Sequence, residues 1–165
     1  MIIDVPADKD PLVHVWGELV PGIGPAAAAF SAAVYAHSTL PLREFEAARL
    51  TIARVNGCLF CLDYSTERDG ERVEDGFLEE VAAWRTSSAL GERERLAAEY
   101  AERFAADHHG LDEEFWGRMR VAYDDRQVVE LTMCLGSWIA FGRLNRVIGL
   151  DEVCTLPAHV PGARG

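Results

Sequence analysis

The chain has 165 residues, of which 49% are hydrophobic and 26% are charged, and its formal net charge is −11 at pH 7. This size and composition are ordinary for a soluble globular protein and predict a single domain over residues 1–165 with a sizeable core. The acidic charge argues against nucleic acid or an anionic membrane as a partner, because phosphate binding needs a basic surface.

Two further features predict a cytoplasmic location. The chain begins Met1-Ile2-Ile3-Asp4 without the basic segment of a signal peptide, and no apolar run approaches the ~18 residues of a membrane helix. Its 4 cysteines are too few for a secreted fold framed by disulfides. We therefore expect no membrane partner, and a compartment in which a cysteine pair works as a dithiol.

Proline signals predict three helices before the paired cysteines. These helices begin at Asp10-Pro11, Pro25 and Pro41, where proline fits the first turn. The first is short and ends at Pro21-Gly22, the second is rich in alanine, and the third covers residues 42–55. The third helix has Phe45 and Ile52 near its apolar face, and Glu46 borders that face.

More helices are expected after the break at Asn56-Gly57. The pattern predicts a cysteine-bearing helix that extends to about Arg72, followed by a short helix around residues 77–84. A long helix from about Leu90 to His108 comes next, capped by Ser87 or Ser88.

The last part of the chain is also helical in pattern. Asp112 caps one helix, and Asp124-Asp125 opens a final helix that is apolar on most sides, which predicts a central, buried position. The tail from about Cys154 is expected to be extended or disordered. Because no segment alternates as a strand does, we expect an all-α domain.

The stretch that carries chemistry is Cys58-x-x-Cys61, directly after the Asn56-Gly57 break. On a helix, residues three apart share one face, so the two sulfurs can form a disulfide or present two thiols to a substrate or a metal. A position in the first helical turn would favour the Cys58 thiolate. The setting favours a redox site over zinc binding or packing, and we expect no metal or cofactor, because zinc would need two more ligands at recognisable spacing.

Eleven residues lie between Glu46 and Cys58. An uninterrupted helix would separate the two by about 18 Å, whereas a turn at Asn56-Gly57 would let the carboxylate fold back towards the thiols. The alternative is a surface or ion-paired carboxylate, with Arg43, Arg49 or Arg54 as its partner.

Other residues of reactive type have plainer interpretations. Cys134 lies in an apolar run and is expected to be buried, and Cys154 is expected to be a bystander in the tail. The pair His108-His109 suits a helix end better than a metal site. Glu130 is either a second buried carboxylate near the site or a charge turned to water or an interface.

An all-helical chain with the spacing Glu46-x11-Cys58-x2-Cys61 resembles the alkylhydroperoxidase D-like (AhpD-like), carboxymuconolactone decarboxylase superfamily, whose redox members carry Glu-x11-Cys-x2-Cys-x3-His. The resemblance implies an AhpD-like helical fold and a homo-oligomer, as a dimer, trimer or hexamer. It also implies that Cys61 attacks a hydroperoxide or disulfide substrate, that Cys58 resolves the product as a disulfide, and that Glu46 relays a proton. An external dithiol would then be the reductant.

The chain departs from that pattern at one position, where the histidine is replaced by Ser65. A hydroxyl can bridge a proton but does not titrate near neutrality, so the departure bears on peroxide reduction more than on disulfide exchange. Tyr64, a water molecule or His37 could take the place of the imidazole.

Two other functions stay open from the sequence. One is a non-redox lyase of the carboxymuconolactone decarboxylase kind that acts on a small carboxylated lactone, although the retained cysteine pair argues against it. The other is a non-catalytic oligomeric binding protein whose thiols serve in packing or as a redox sensor.

Overall fold

The computed structural model describes residues 2–150, which form seven α-helices, one π-helical segment and one 3₁₀ turn. The α-helices are α1 (Gly24–His37), α2 (Leu42–Asn56), α3 (Leu59–Asp63), α4 (Phe77–Ala82), α5 (Glu92–Ala106), α6 (Glu113–Ala122) and α7 (Asp125–Ile148). The π-helical segment is Val13–Glu18 and the 3₁₀ turn is His108–Gly110. Within residues 2–150 the only extended pairing is one isolated bridge between Arg68 and Glu71, so the all-α prediction is confirmed.

Capping side chains define several of the helix starts that the sequence predicts. Asp10, Asp112 and Asp124 each accept a hydrogen bond from a backbone N–H three residues later, at 2.8–2.9 Å. Each of these bonds satisfies a donor that the first helical turn would otherwise leave unpaired. The prediction that Ser87 or Ser88 caps the long helix is wrong, because α5 begins after Gly91, whose N–H donates to the Glu94 carboxylate at 2.8 Å.

Helix α2 is the centre of the fold. It packs against α5 and α7 and also contacts α3 and α4, and ten consecutive residues from Glu44 to Ala53 are buried. Aromatic and aliphatic side chains of α2, α5, α6 and α7 form the main core, which includes Phe45, Ile52, Phe115, Met119, Leu131 and Leu135. A smaller core of Ala47, Leu50, Phe77, Val81 and Leu90 lies under α4.

The carboxyl end of α2 is fixed against α7. Gly57 adopts a left-handed conformation (φ 65°), and the next amide, of Cys58, bonds back to the Ala53 carbonyl at 3.1 Å. This is the Schellman ending, which needs a residue that tolerates positive φ. Asn56 donates to the Trp138 carbonyl at 3.0 Å and accepts from Arg143, so the turn that leads to the cysteines has one defined position.

The cysteine helix is much shorter than the sequence pattern indicates. It ends at Asp63 instead of about Arg72, and Tyr64 is already extended. The following segment turns into the domain, because Thr66 is buried and the Arg68 guanidinium lies over the Phe45 ring at 4.2 Å. These contacts with side chains of α2 require an extended backbone that a continued helix would not provide.

Helix α7 is central but only half-buried, which corrects the expectation of burial on most sides. Leu131, Cys134, Leu135 and Trp138 face the core, whereas another side of the helix exposes apolar residues to solvent. Those exposed residues are Val129, Met133, Leu144 and Val147. An apolar stripe of this kind is compatible with a homo-oligomer, which stays a prediction.

Two remaining expectations concern the chain ends and the membrane. The expected tail and Cys154 lie outside the described residues. Among the helices of residues 2–150, none is both long and apolar enough to cross a bilayer.

Replacing Gly142 by alanine should destabilise the protein by about 1–2 kcal/mol, because the new Cβ crowds a packed, hydrogen-bonded side chain. A Cβ at this position would lie 2.5 Å from the Asn56 amide nitrogen and would force Asn56 away from Trp138. Gly136 is the matched control, since a Cβ there meets nothing within 4 Å and it lies on the same helix. Chemical denaturation should show Gly136→Ala neutral or stabilising; equal stability of the two variants would contradict this account of the α2–α7 contact.

Candidate functional site

The two paired cysteines form a disulfide at the start of α3. Cys58 and Cys61 are joined with their Cα atoms 5.3 Å apart, and Cys58 is the residue that caps the helix. The Cys58 Sγ accepts a hydrogen bond from the Cys61 N–H at 3.3 Å. Cys58 is fully buried, whereas Cys61 keeps part of its surface in solvent. An incoming molecule therefore meets Cys61 first.

This geometry weakens the argument that a helix dipole favours a Cys58 thiolate. Helix α3 has only 5 residues, so few peptide dipoles add together at its start. Cys58 is also enclosed by protein, which separates it from an incoming molecule. The partial exposure of Cys61 is compatible with the role that the family resemblance implies for it, which stays a prediction.

Glu46 forms a buried ion pair with Arg49, which lies about one helical turn further along α2. The Arg49 Nε donates to the Glu46 Oε1 at 2.6 Å and Nη2 donates to Oε2 at 2.8 Å, with the two side chains 2% and 0% exposed. The hydroxyl of Thr66 donates a third hydrogen bond to Glu46, also at 2.6 Å. The sequence-based alternative of an ion-paired carboxylate is therefore what the structure shows, with Arg49 as the partner.

The same arginine binds the backbone of the cysteine helix. Its Nη1 donates to the Cys61 carbonyl, and its Nη2 donates to the Tyr64 carbonyl at 2.6 Å. Burial lowers the pKa of Arg49, but the hydrogen bonds to Glu46 and the attraction of its negative charge together outweigh burial, so the pKa lies above its ordinary value. Arg49 is thus a permanent cation that connects Glu46 to the backbone of Cys61.

Two tyrosines pack beside this cation. The Arg49 guanidinium lies 5.5 Å from the centre of the Tyr64 ring, and Tyr64 packs edge to face with Tyr35 at 5.8 Å. Burial raises the pKa of Tyr35 to about 12 and also raises the pKa of Tyr64, against the effect of Arg49. Both phenols therefore stay protonated at neutral pH and can donate hydrogen bonds but cannot act as bases.

A cavity of about 160 Å³ lies beside the ion pair. Glu46 and Arg49 form part of its wall together with Tyr64 and Ser65, and both charged and apolar side chains line the rest. The apolar lining consists of Leu50, Leu62, Val73, Phe77 and Leu78. Ser65 and Glu46 thus share one cavity, whereas the two cysteines lie next to it and do not line it.

Of the four residues proposed from the sequence, the structure brings all to one region but joins them in two pairs. Cys58 and Cys61 are bonded to each other, and Glu46 and Ser65 share the cavity wall. Arg49 connects the pairs. The position of Arg49, three residues after Glu46, is a sequence signal for the ion pair. No comparable signal marks Thr66, because its hydrogen bond to Glu46 depends on where the chain leaves α3.

Glu130 and His37, which the sequence also proposed, do not line this cavity. Glu130 accepts hydrogen bonds from Ser38, Thr39 and the Leu40 N–H, and it fixes the α1–α2 connection. Burial opposes its charge, but the bonds from Ser38 and Thr39 outweigh burial and lower the pKa of Glu130. His37 is exposed at the end of α1.

Cys134 is a buried free thiol, as expected, and burial raises its pKa to about 12. His108 and His109 stack on each other in the 3₁₀ turn after α5. In the part of the chain that the structure describes, no group of three or more His, Cys, Asp or Glu side chains could hold a metal ion.

Replacing Glu46 by alanine should lower the free energy of unfolding by about 3–5 kcal/mol, because it leaves the Arg49 cation buried without its counter-ion. Glu74→Ala is the matched control, since Glu74 also pairs with an arginine, Arg43, but its side chain is 56% exposed. The control should cost about 0–1 kcal/mol. Denaturant titration of both variants measures the difference; similar losses would contradict the buried-pair interpretation.

The sequence and the fold were compared with known proteins. The carboxymuconolactone decarboxylase family model matches residues 21–103. The uncharacterised protein YnjA of Escherichia coli is 30% identical over 109 residues, which are 64% of this chain and 60% of YnjA. The uncharacterised YdfG of Bacillus subtilis is 24% identical over 108 residues, or 63% of this chain and 72% of YdfG.

A solved structure shares the fold. It is a protein of unknown function from Agrobacterium tumefaciens for which the role of the antioxidant defence protein AhpD has been suggested. The two superpose with a TM-score of 0.70 at 21% identity, over 81% of this chain and 92% of that one. With the family match over half of its length and this AhpD-like helical architecture, the chain belongs to the carboxymuconolactone decarboxylase family.

Proposed function

We propose that this protein is a thiol-dependent oxidoreductase of the alkylhydroperoxidase type, which cycles between a dithiol and a disulfide at Cys58 and Cys61. The observation that carries the proposal is the Cys58–Cys61 disulfide, in which one cysteine is buried and the other is partly exposed. A cysteine that only fills space in the core requires neither a disulfide partner nor contact with solvent. A redox pair needs both.

In the oxidative half-cycle, the Cys61 thiolate attacks the terminal oxygen of a hydroperoxide. The O–O bond breaks, an alcohol leaves with one proton, and Cys61 becomes a sulfenic acid. The Cys58 thiol then attacks the Cys61 sulfur, releases water and closes the disulfide. The closeness of the two residues supports this second step, because it is intramolecular.

In the reductive half-cycle, an external dithiol attacks the disulfide. Attack on the Cys61 sulfur gives a mixed disulfide and releases the Cys58 thiolate, and the second thiol of the reductant then frees Cys61. The partial exposure of Cys61 and the full burial of Cys58 support this direction of attack. A disulfide substrate would follow the same steps in either direction.

Peroxide reduction also requires a proton donor for the departing alkoxide, and this is the step for which the site is least well equipped. Tyr64 is protonated at neutral pH, and Ser65 is an exposed hydroxyl beside it. Both can pass a proton along hydrogen bonds, but neither titrates near neutrality as imidazole does. We infer that peroxide reduction is slower than disulfide exchange in this protein.

The charges around the cavity weigh against the lyase alternative. Four carboxylates, those of Glu46, Asp63, Glu74 and Asp75, line it against the two guanidiniums of Arg49 and Arg72. Arg49 is already neutralised by Glu46, and Glu74 pairs with Arg43, which leaves Asp63 and Asp75 against Arg72. A carboxylated lactone would meet an excess of negative charge, which disfavours its binding.

Replacing Cys61 by serine should abolish hydroperoxide consumption, because the attacking thiolate is lost. Without a reductant, Cys58→Ser should reduce one equivalent of hydroperoxide and leave a sulfenic acid at Cys61, since the resolving thiol is absent. Peroxide assays with dithiol reductant measure the first outcome, and mass mapping of the cysteines after oxidation without reductant measures the second. Cys134→Ser is the control and should behave like the parent. Undiminished turnover in Cys58→Ser/Cys61→Ser would overturn the proposal.

Introducing a histidine at position 65 should increase the rate of peroxide reduction by about 10²-fold or more, because it supplies a group that titrates near neutrality. The rate should then depend on pH near the histidine pKa, about 6.5. Ser65→Asn, which adds bulk and hydrogen bonding without titration, is the control. Stopped-flow measurement of hydroperoxide reduction against pH compares the three proteins; equal gains in both variants would contradict a proton-transfer role at this position.

A further inference from the structure

The cysteine helix cannot hold its own shape. Helix α3 has 5 residues, and isolated helices shorter than about 12 residues are marginal in water. Its internal bonds are few, and the Tyr64 N–H donates to the Phe60 carbonyl at 3.2 Å. The position of Cys61 relative to Cys58 must therefore be fixed by contacts from outside the helix, most of all when the disulfide is open.

Both ends of this short helix are held by α2. At the start, the Cys58 N–H donates to the Ala53 carbonyl at 3.1 Å. At the other end, Arg49 donates to the carbonyls of Cys61 and Tyr64, which belong to the last turn that a helix leaves unpaired. Arg49 and Ala53 lie one turn apart on α2, so the same rigid helix holds the backbone of both cysteines.

The Arg49 guanidinium suits this contact because all three of its nitrogens donate hydrogen bonds. Nε and Nη2 bind the two oxygens of Glu46, while Nη1 and Nη2 bind the two carbonyls. Lysine carries the same charge, but its ammonium is one point without the planar fork and cannot span these acceptors. Since Glu46 neutralises the charge of Arg49, the geometry of the fork matters more than its charge.

We propose that Arg49 is a positioning residue of the dithiol: it holds the Cys61 backbone so that the two thiols stay within bonding reach after reduction. The inference rests on the redox part of the proposed function and names the residue that favours ring closure. Glu46 acts through Arg49 in this account. It fixes the arginine, and it needs no direct contact with a sulfur.

The test is the equilibrium between the protein and glutathione, without any hydroperoxide. Glutathione disulfide loses its S–S bond and the Cys58–Cys61 bond forms, while two electrons and two thiol protons pass to two molecules of glutathione. Arg49→Met and Arg49→Lys should both reduce this equilibrium constant about tenfold, which equals a rise of about 30 mV in the reduction potential. Arg54→Met is the matched control, because Arg54 lies on the same helix and is exposed.

The outcomes separate the possible roles of Arg49. If Arg49→Lys keeps the parental equilibrium constant and Arg49→Met does not, the charge matters instead of the fork, and the proposal fails. If both keep it while only the melting temperature falls, Arg49 is a packing residue and the proposal also fails. A tenfold loss in both variants, with hydroperoxide untouched even by the parent, would support the positioning role and refute the peroxidase function.

A measurement on the parent protein covers the case in which neither variant folds. Hydrogen exchange of the Leu62 and Tyr64 amides, which bond to Cys58 and Phe60, reports on the order of α3. The proposal predicts that these amides stay protected when the disulfide is reduced, since Arg49 still holds the carbonyls. Loss of protection on reduction would overturn it, because the disulfide alone would then order the helix.

Discussion

The buried ion pair between Glu46 and Arg49 is the interaction on which the rest of the site depends. Removing two opposite charges from water costs several kcal/mol per ion, and their attraction compensates only where hydrogen bonds satisfy the remaining donors and acceptors. Here both carboxylate oxygens accept from Arg49, Thr66 donates a further bond, and two more guanidinium N–H groups donate to backbone carbonyls. The ion pair therefore requires the chain at the end of α3 to place Thr66 and the carbonyls of Cys61 and Tyr64 at defined positions. It stabilises a specific arrangement of α2, α3 and the Thr66 segment.

That arrangement explains why α2 is both the core of the fold and the support of the chemistry. Its buried face carries Phe45 and Ile52 into the main core, and its carboxyl end is fixed to α7 through Asn56. The short helix α3, which carries the partly exposed Cys61, is held by this rigid neighbour. The site can then expose Cys61 without local unfolding, because the order of α3 comes from Arg49 and Ala53 and not from burial of its own side chains.

Much of the fold could be predicted from local signals. Asp10, Asp112 and Asp124 are side chains that satisfy helix N-termini, and Asn56-Gly57 tolerates the left-handed ending, so these boundaries follow from chemistry within a few residues of sequence. The end of α3 could not be predicted in this way. Residues 64–72 carry no strong breaker before Asp69-Gly70, and the helix stops earlier because Thr66 and Arg68 contact α2 and its surroundings. The exposed stripe of α7 escaped prediction for a related reason, since an apolar residue has the same pattern whether the domain or a partner covers it.

The candidate site, like the fold, could be predicted only in part from the sequence. The spacing of Glu46, Cys58 and Cys61 was visible in the sequence, but the relation between them was not, because the carboxylate reaches the cysteines through a guanidinium and a backbone carbonyl. This has a chemical consequence. A neutral ion pair contributes little field at the sulfur, so the site controls its thiols by position more than by charge. Disulfide exchange depends chiefly on how closely two sulfurs are held, whereas peroxide cleavage also needs an acid for the leaving oxygen. A chain with Arg49 and with serine at position 65 therefore meets the first requirement through backbone contacts and the second only through hydroxyl groups.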